Sequence, residues 1–324
     1  MLHQPPSPEE GPRSPIKLGR RSWWAALRRT ISESRQDNLT VWAAALTYYG
    51  ILSLFPGLLV LVAVLGLISD SLVDDLKQVV LPILPGPGRD ILEAALDNVR
   101  AGEGRAGLAA LIGLVVGFWS ASGYVAGFMK ASNAIYDVAE GRPIWRKLPV
   151  RLGITLATGV LLVASVLIVV VSGRLAEQLG RLLHVSGAIV TAWSILKWPA
   201  LAVLVSLMFA ILYWAAPNVR HGGFRWVTPG GLTAVVLWVV VSLGFGFYVA
   251  NLASYNKTYG ALGGIIVFLV WMWLTNLAIL YGAELNAELE RQRAIAAGLP
   301  RDEEPYMQMK DSRKAEPGDK RDLG

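Results

Sequence analysis

The chain has 324 residues, of which 54% are hydrophobic and only 17% are charged, and its formal net charge is +6. Soluble domains carry about 25% charged residues, so this composition disfavours a soluble protein. The absence of cysteine excludes disulfides and thiolate metal ligands. We therefore predict an integral membrane protein.

Six uncharged runs divide the chain, each at least 22 residues long. They cover 38–69, 106–129, 152–173, 198–219, 226–256 and 258–283. A helix needs roughly 20 apolar residues to cross a hydrocarbon layer about 30 Å thick. These runs are apolar on nearly every side, whereas a helix of a soluble fold needs only one apolar stripe. We predict an all-α fold in which six transmembrane helices form one bundle.

The six runs divide the lysines and arginines unevenly. With a cytoplasmic N-terminus, 22 of the 30 basic residues fall on the cytoplasmic side. The positive-inside rule therefore predicts that both termini are cytoplasmic. The net positive charge comes mainly from basic residues beside the spans on the cytoplasmic side. It indicates the lipid bilayer as a partner, and anionic lipids in particular, rather than nucleic acid.

The membrane domain is predicted over 23–290, between disordered cytoplasmic tails at 1–22 and 291–324 that are rich in charged residues. Near its start, Trp23, Leu27 and Ile31 repeat every fourth residue among arginines, which indicates a helix lying on the inner leaflet. The outer loop 69–107 is predicted to hold two amphipathic helices joined by a Pro/Gly hinge. The alternatives for this loop are a lid, a plug, or a loop folded back to hide apolar surface.

Polar side chains near the inner ends of three spans are candidates for a pocket that opens to the cytoplasm. Polar groups in hydrocarbon are costly, so they either hold helices together or line a path. The predicted pocket residues are Thr47, Tyr48, Pro56, Asn133, Tyr136, Glu284 and Asn286. The alternatives are close helix packing in the first span and an exposed interfacial carboxylate at Glu284.

The connection between the fifth and sixth spans concentrates polar groups on the outer side. Its predicted gate residues are Asn251, Tyr255, Asn256, Lys257 and Tyr259. The alternative is an ordinary turn, because asparagine, serine and glycine favour turns by themselves.

Two long motifs resemble the YihY/BrkB family of bacterial inner-membrane proteins. The first is Asn38-Leu-Thr-Val-Trp-Ala-Ala-Ala-Leu-Thr-Tyr-Tyr-Gly-Ile-Leu-Ser-Leu-Phe-Pro56. The second is Tyr255-Asn-Lys-Thr-Tyr-Gly-Ala-Leu-Gly-Gly264, followed by Trp271 and Gly282-Ala-Glu-Leu-Asn286. The resemblance extends over about 30–290. It implies a multi-pass protein of the bacterial cytoplasmic membrane with six helices, and the BrkB name is tied to serum resistance.

Some members of this family carry the name ribonuclease BN, a tRNA-processing nuclease. Metal-dependent hydrolysis needs several His and carboxylate ligands around one ion. The three histidines, His3, His184 and His221, lie in separate parts of the predicted topology, and the sequence has no phosphate-binding Gly-rich loop. We expect neither nuclease nor ATPase activity, no metal site and no cofactor.

The sequence favours a transporter-like protein that moves or shelters an amphipathic or lipid-like substrate without hydrolysing ATP itself. The motifs lie at both membrane faces, and charges within the spans are sparse. The alternative is a non-transporting envelope scaffold that docks partners. The sequence identifies neither the substrate nor the protein partners, and it leaves homo-oligomerisation open.

Overall fold

A computed structural model describes residues 11–68, 104–171, 187–251, 255–301 and 306–315. Its α-helices are α1 (Arg20–Gln36), α2 (Leu39–Ile68), α3 (Gly104–Ile135), α4 (Ile144–Val171), α5 (Gly187–Ala215), α6 (Thr228–Asn251) and α7 (Tyr255–Ala296). Two 3₁₀ helices cover Pro15–Lys17 and Phe224–Trp226. Of the predicted outer loop 69–107, only 104–107 is described, and these residues begin α3.

Each uncharged run lies largely within one of the helices α2 to α7, so the all-α prediction is confirmed for the described residues. Four segments are long and apolar enough to cross a membrane: Ile144–Val169, Ile195–Ala215, Phe224–Val249 and Gly263–Ala296. A shorter apolar segment, Leu39–Leu54, lies in α2. Large apolar side chains point outward from these helices, and Phe247 for example is 74% exposed. This is how helices that face lipid differ from helices around a soluble core.

Helix α7 forms the centre of the bundle. It packs against α6, α2, α1 and α3, while α2 pairs with α3, α4 with α5, and α5 with α6. Small residues allow these close contacts. A Cβ on Gly127 of α3 would lie 2.8 Å from the ring of Tyr49 in α2, and a Cβ on Gly50 would lie 2.7 Å from the methyl group of Met272 in α7. The structure thus fits the alternative of close helix packing at Gly50 in the first span, and it shows the same kind of contact at Gly127.

Helix α1 is amphipathic and lies against α7. Its buried residues are Ala26, Thr30 and Ser34. Trp24, Leu27 and Ile31 are 70%, 42% and 66% exposed. Trp23, the first residue of the predicted apolar repeat, is half-buried, and its indole N–H donates to the carbonyl oxygen of Pro15 at 3.0 Å. The exposed apolar stripe therefore begins at Trp24.

Parts of both predicted tails are folded. Leu18 is buried and packs with the core that includes Trp226 and Leu289. Helix α7 continues to Ala296, beyond the predicted domain end at 290. Tyr306 and Met307 are each 2% exposed and join the main core. The expected disorder does not hold for these residues, because a few apolar side chains among many charged ones give them a buried anchor that composition alone does not reveal.

Candidate functional site at the polar end of the bundle

All buried charged side chains among the described residues lie at one end of the bundle. This polar end consists of α1, the α3–α4 connection 136–143, the α5–α6 connection 216–227, the end of α7 and residues 306–315. Helix α7 is buried without interruption over 282–294. The charged residues in that stretch are Glu284, Glu288, Glu290, Arg291 and Arg293. Buried charges are tolerated only when they are paired, so their partners determine what this end can do.

Glu290 is the most completely bonded of these carboxylates. Its Oε2 accepts a hydrogen bond from Nε of Arg293 at 2.6 Å, and its Oε1 accepts one from the backbone N–H of Gly222 at 3.0 Å. Nδ1 of His221 lies 3.6 Å from the same Oε1. The guanidinium of Arg293 also lies over the ring of Trp226, 5.9 Å from its centre. Glu290 therefore joins α7 to the α5–α6 connection.

His221 is enclosed by this cluster and by the edge of the Tyr136 ring, whose centre is 5.5 Å from that of the imidazole. Burial lowers the pKa of His221 below its ordinary value, although Glu290 acts in the opposite direction. The imidazole is therefore neutral at physiological pH. No group of three His, Asp or Glu side chains is arranged to hold a metal ion within the part of the chain that the structure describes.

Glu284 is 1% exposed, so the alternative of an exposed interfacial carboxylate does not fit the structure. The carboxyl group of Asp37, at the α1–α2 junction, lies near that of Glu284. Oε2 of Glu284 has no hydrogen-bond partner among the described atoms. One turn later, Glu288 accepts a hydrogen bond from Nε of Arg29 at 3.0 Å.

Asn286 has a structural role. Its Oδ1 accepts a hydrogen bond from the backbone N–H of Gly230 at 2.8 Å, and its Nδ2 donates to the carbonyl oxygen of Val227 at 3.0 Å. Both partners lie at the start of α6, where backbone N–H groups have no partner within the helix. Asn286 thus caps α6 from the side of α7.

Asn133 is also fixed by hydrogen bonds. Its Oδ1 accepts one from the backbone N–H of Asn218 at 2.8 Å, and its Nδ2 donates to Glu140 at 3.2 Å. Glu140 in turn accepts two bonds from the guanidinium of Arg142, each 2.7 Å long, and a third from the backbone N–H of Arg142 at 3.3 Å. Burial acts to raise the pKa of Glu140, but the hydrogen bonds and charge of Arg142, together with Lys147, hold that pKa below its ordinary value.

Thr47 lies in a separate network that joins α2, α3 and α7. Its hydroxyl donates to the carbonyl oxygen of Ala43 at 2.8 Å and accepts a hydrogen bond from Nδ2 of Asn276 at 3.1 Å. The hydroxyl of Tyr124 donates to Oδ1 of Asn276 at 2.8 Å. Sequence reasoning missed Asn276, although an asparagine inside the uncharged run 258–283 is itself a signal of interhelical bonding.

The other predicted pocket residues are not gathered in one place. Tyr48 is 61% exposed on the outside of the bundle, with its ring against that of Tyr49. Tyr136 is 1% exposed at the polar end, and its hydroxyl has no partner among the described atoms. Burial raises the pKa of Tyr136, and the charges of Glu290 and Glu284 raise it further. The backbone of Pro56 lies within α2, and its side chain is outside the described part.

Asn251, the first residue of the predicted outer gate, ends α6, and its amide donates to the carbonyl oxygen of Phe247 at 2.8 Å. Tyr255 begins α7, so Asn256, Lys257 and Tyr259 belong to the first turns of a helix rather than to a tight turn. The side chains of these last four residues lie outside the described part, and the gate stays a prediction.

An apolar groove of about 540 Å³ opens on the side of the bundle next to the polar end. It is lined by Val150, Gly153, Ile154, Ile211, Trp214, Ala215, Gly223 and Phe224. These residues come from α4, α5 and the α5–α6 connection, and the sequence analysis singled out none of them. The space exists partly because Gly153 and Gly223 have no side chain, and no atom lies within 4 Å of where their Cβ would be. The amine of Lys310 lies 5.5 Å from the ring centre of Trp214, at the groove.

Long apolar helices with exposed apolar sides, and a buried charged end to which both α1 and residues 306–315 contribute, define a multi-pass α-helical membrane protein. The chain belongs to the BrkB family, because the family model described as virulence factor BrkB matches residues 30–306.

Individual relatives agree with this assignment. The chain is 30% identical over 268 residues to YfkH of Bacillus subtilis, whose name describes it as ribonuclease-like, and the match covers 82% of this chain and 93% of YfkH. It is 30% identical over 275 residues to a UPF0761 membrane protein of Alkalilimnicola ehrlichii, covering 83% of this chain and 59% of the relative. A Xanthomonas campestris UPF0761 membrane protein is 27% identical over 276 residues, and this chain spans 61% of its length. No solved structure gave a significant match.

Proposed function

We propose that this protein is a transporter-like component of the bacterial cytoplasmic membrane that moves or shelters an amphipathic or lipid-like substrate without hydrolysing ATP. The observation that carries the proposal is the lateral groove of about 540 Å³. Its lining is apolar, as an acyl chain or similar group requires, and it ends at the polar end of the bundle. An amphipathic molecule in the groove would have its polar part beside charged side chains.

Lys310 is well placed to contact the polar part of an amphipathic molecule bound in the groove. Its ammonium donates to the carbonyl oxygens of Trp214 and Pro217 at 2.9 and 3.1 Å. Burial, and secondarily the charge of Arg142, lower the pKa of Lys310 to about 8. The amine therefore remains mostly charged at neutral pH and favours an anionic or strongly dipolar headgroup.

We further propose six membrane crossings with the polar end in the cytoplasm. Helix α1, the α3–α4 and α5–α6 connections and the end of α7 all meet at this end, which is the arrangement that six crossings with cytoplasmic termini require. The distribution of 22 of the 30 basic residues supports the same orientation. The exposed stripe of Trp24, Leu27 and Ile31 is then placed to lie in the inner leaflet, with nearby arginines on anionic lipid.

The orientation can be tested with single cysteines, because the natural chain contains none. An impermeant thiol reagent applied to intact cells should label a Gly86→Cys variant and should not label an Arg301→Cys variant. The reverse pattern would contradict the orientation.

Transport can be tested by filling the groove. Phenylalanine at Gly153 should occupy the groove, whereas phenylalanine at Gly159, an α4 residue that does not line it and also has nothing within 4 Å, is the matched control. Vesicles containing purified protein and a fluorescent phospholipid would be assayed for movement of the lipid between leaflets. We expect movement with the natural chain and with Gly159→Phe, and its loss with Gly153→Phe. No movement above protein-free vesicles, or equal movement with both variants, would contradict the proposal.

The second candidate is a non-transporting scaffold. The observation that favours it is the hydrogen bonding of Asn133, Asn286 and Thr47, which use their polar groups to hold the bundle together. A scaffold would lose function when the α1 surface or the C-terminal segment is altered, and it would tolerate Gly153→Phe.

We also propose that the protein is not an enzyme. The name of YfkH raises a ribonuclease activity for that relative, and purified protein from this chain is expected not to cut tRNA above background. Cleavage that is lost in a His221→Gln variant would contradict this expectation.

A further inference from the structure

We propose that the polar end contains a binding cleft for an extended peptide, and that its occupant is the chain's own C-terminal segment. The cleft is formed by 139–141 and 214–220, and the occupant, here called the tail segment, is 306–315. The segment exchanges between a bound and a released state. This inference goes beyond the proposed transport and does not depend on it.

Backbone pairing provides the first contact. Val219 and Met309 form an antiparallel bridge. On either side of it, the backbone N–H groups of Arg220 and Lys310 donate to the carbonyl oxygens of Gln308 and Asn218, at 2.8 and 2.9 Å. Adding a strand to an exposed backbone edge is a common way for proteins to bind peptides, because the main chain supplies the bonds.

Asn218 holds the main chain of the tail segment at the next residue. Its Oδ1 accepts a hydrogen bond from the backbone N–H of Asp311 at 3.1 Å, and its Nδ2 donates to the carbonyl oxygen of Asp311 at 2.7 Å. Nδ2 also donates to the carbonyl oxygen of Ala139 at 3.2 Å, and Asn133 bonds the backbone N–H of Asn218 at 2.8 Å. An amide that bonds both backbone polar groups of one residue, and is itself held in place by Asn133, is suited to recognising an extended backbone.

The wall of the cleft also leaves room for that backbone. A Cβ on Gly141 would overlap the carbonyl oxygen of Asp311. The backbone N–H of Lys314 donates to the carbonyl oxygen of Gly141 at 3.0 Å, which extends the contact to the end of the segment. At its other end, the ring of Tyr306 lies 5.4 Å from the guanidinium of Arg291. Tyr306 and Met307 are the apolar anchors, each 2% exposed.

The family model matches the residues of the cleft but almost none of the tail segment. The residues that form the cleft lie within 30–306, the range that the family model matches, whereas the tail segment has only its first residue in that range. The bundle therefore builds the cleft, and the chain beyond the bundle fills it.

The contacts between the tail segment and the cleft favour exchange between the bound and the released state. Among the described residues, the tail segment pairs with the backbone of the bundle only through one isolated bridge and the single bond from Lys314 to Gly141. Most of its other contacts are side-chain hydrogen bonds, which water can replace once the segment is released. Ordering ten residues opposes docking by an amount comparable to what such bonds contribute. Release would expose the buried α7 residues beneath Tyr306 and Met307 to the cytoplasm.

Cross-linking tests the bound state. The hydrogen bonds flank Val219 and Met309 without joining them, and in such a pair the Cα atoms are only about 4.5 Å apart, close enough for a disulfide. Full-length protein with Val219→Cys and Met309→Cys should form an intrachain disulfide in membranes. The matched control, Val219→Cys with Lys310→Cys, should not, because neighbouring side chains of an extended segment point to opposite faces. Failure of the first pair to link, equal linking of both pairs, or a disulfide-linked dimer would overturn the proposal.

Thiol reactivity tests exchange. In the full-length chain, Met307→Cys should react with a maleimide at least tenfold more slowly than the exposed Arg301→Cys. Adding Asn218→Ala, or an excess of a synthetic peptide with the sequence of 306–315, should accelerate labelling of Met307→Cys and leave labelling of Arg301→Cys unchanged. Equal reactivity of the two cysteines at the outset would show that the segment is not bound. Slow labelling that neither change accelerates would show a permanent part of the core, and the proposal would be wrong.

Discussion

The backbone of Gly230 in α6 lies directly against the backbone of Gly282 in α7. A Cβ added to either residue would overlap the carbonyl oxygen of the other. The contact lies beside the bond from the Gly230 N–H to Asn286, so the same crossing also sets the start of α6. At this point the last two helices pack backbone against backbone, next to the polar end.

Replacing Gly282 by alanine should therefore destabilise the bundle. We expect a loss of about 1–3 kcal/mol, the usual effect of forcing an extra group into a packed interior. Thermal unfolding of the purified protein in detergent measures it. Gly244→Ala in α6 is the matched control, because nothing lies within 4 Å of its Cβ position and alanine favours a helix by up to about 1 kcal/mol. An unchanged unfolding temperature for Gly282→Ala would show that α6 and α7 can separate at no cost.

The helices could be predicted because their signal is local. The six uncharged runs locate α2 to α7, since a long apolar stretch has the same meaning wherever it occurs in a chain. The sequence also indicated close helix packing in the first span, where Gly50 lies, and drew attention to Glu284 and Asn286. The sequence alone does not show that Tyr48 faces outward. Thr47 and Tyr48 are neighbours in the same uncharged run, and only their positions around the helix place Thr47 inside the bundle and Tyr48 outside it.

The polar end could not be predicted because its contacts are distant in sequence. Asn218 meets Asp311 across 93 residues, and Arg29 meets Glu288 across 259. His221 was noted as an isolated histidine, and no local pattern links it to Glu290. The tail segment was predicted to be disordered because it is rich in charge, yet several of those charges are partners of the bundle. Long-range pairing of polar groups leaves no periodic trace in one sequence.

The Asn276 network gives a test of interhelical bonding. Asn276→Leu should leave the hydroxyl of half-buried Tyr124 without its acceptor, at a cost of about 1–3 kcal/mol. Tyr48→Phe removes a hydroxyl on a side chain that is 61% exposed and should change the unfolding free energy by less than about 0.5 kcal/mol. Unfolding in detergent measures both. Combining Asn276→Leu with Tyr124→Phe should restore part of the loss, and no recovery in the double variant would argue against the network.

The bond between Glu290 and Arg293 gives a test of buried charge. Glu290→Gln keeps the shape of the side chain but removes the charge that faces Arg293, and breaking a buried pair in this way costs about 3 kcal/mol. Glu33→Gln is the control, because Glu33 pairs with Arg29, which is 35% exposed, and such pairs contribute at most about 1 kcal/mol. The comparison is made by unfolding temperature and by yield in membranes. Equal effects of the two changes would contradict the enclosed environment of Glu290.

His221 predicts how stability depends on pH. Its folded-state pKa lies below the ordinary value of 6.5 because it is buried, while the unfolded chain keeps the ordinary value. As the pH falls through 6.5, the unfolded state takes up the proton first, so acidification favours unfolding. The stability that neutral His221 contributes is thus fully present above pH 6.5 and is lost toward the lowered folded-state pKa. The groups that face it are Glu290 from α7, Tyr136 from the end of α3 and Lys310 from the tail segment.

His221→Gln isolates this effect, because glutamine does not titrate while the other ionisable groups remain in both proteins. Between pH 7.5 and pH 5, the unfolding temperature of the natural chain should fall more steeply than that of the variant. The limiting difference in slope is about 1.4 kcal/mol per pH unit for one proton. Far-ultraviolet circular dichroism in detergent, recorded at each pH, measures both curves. If the two curves were parallel, His221 would have the same pKa in the folded and unfolded states. The cluster around Glu290 would then be open to water.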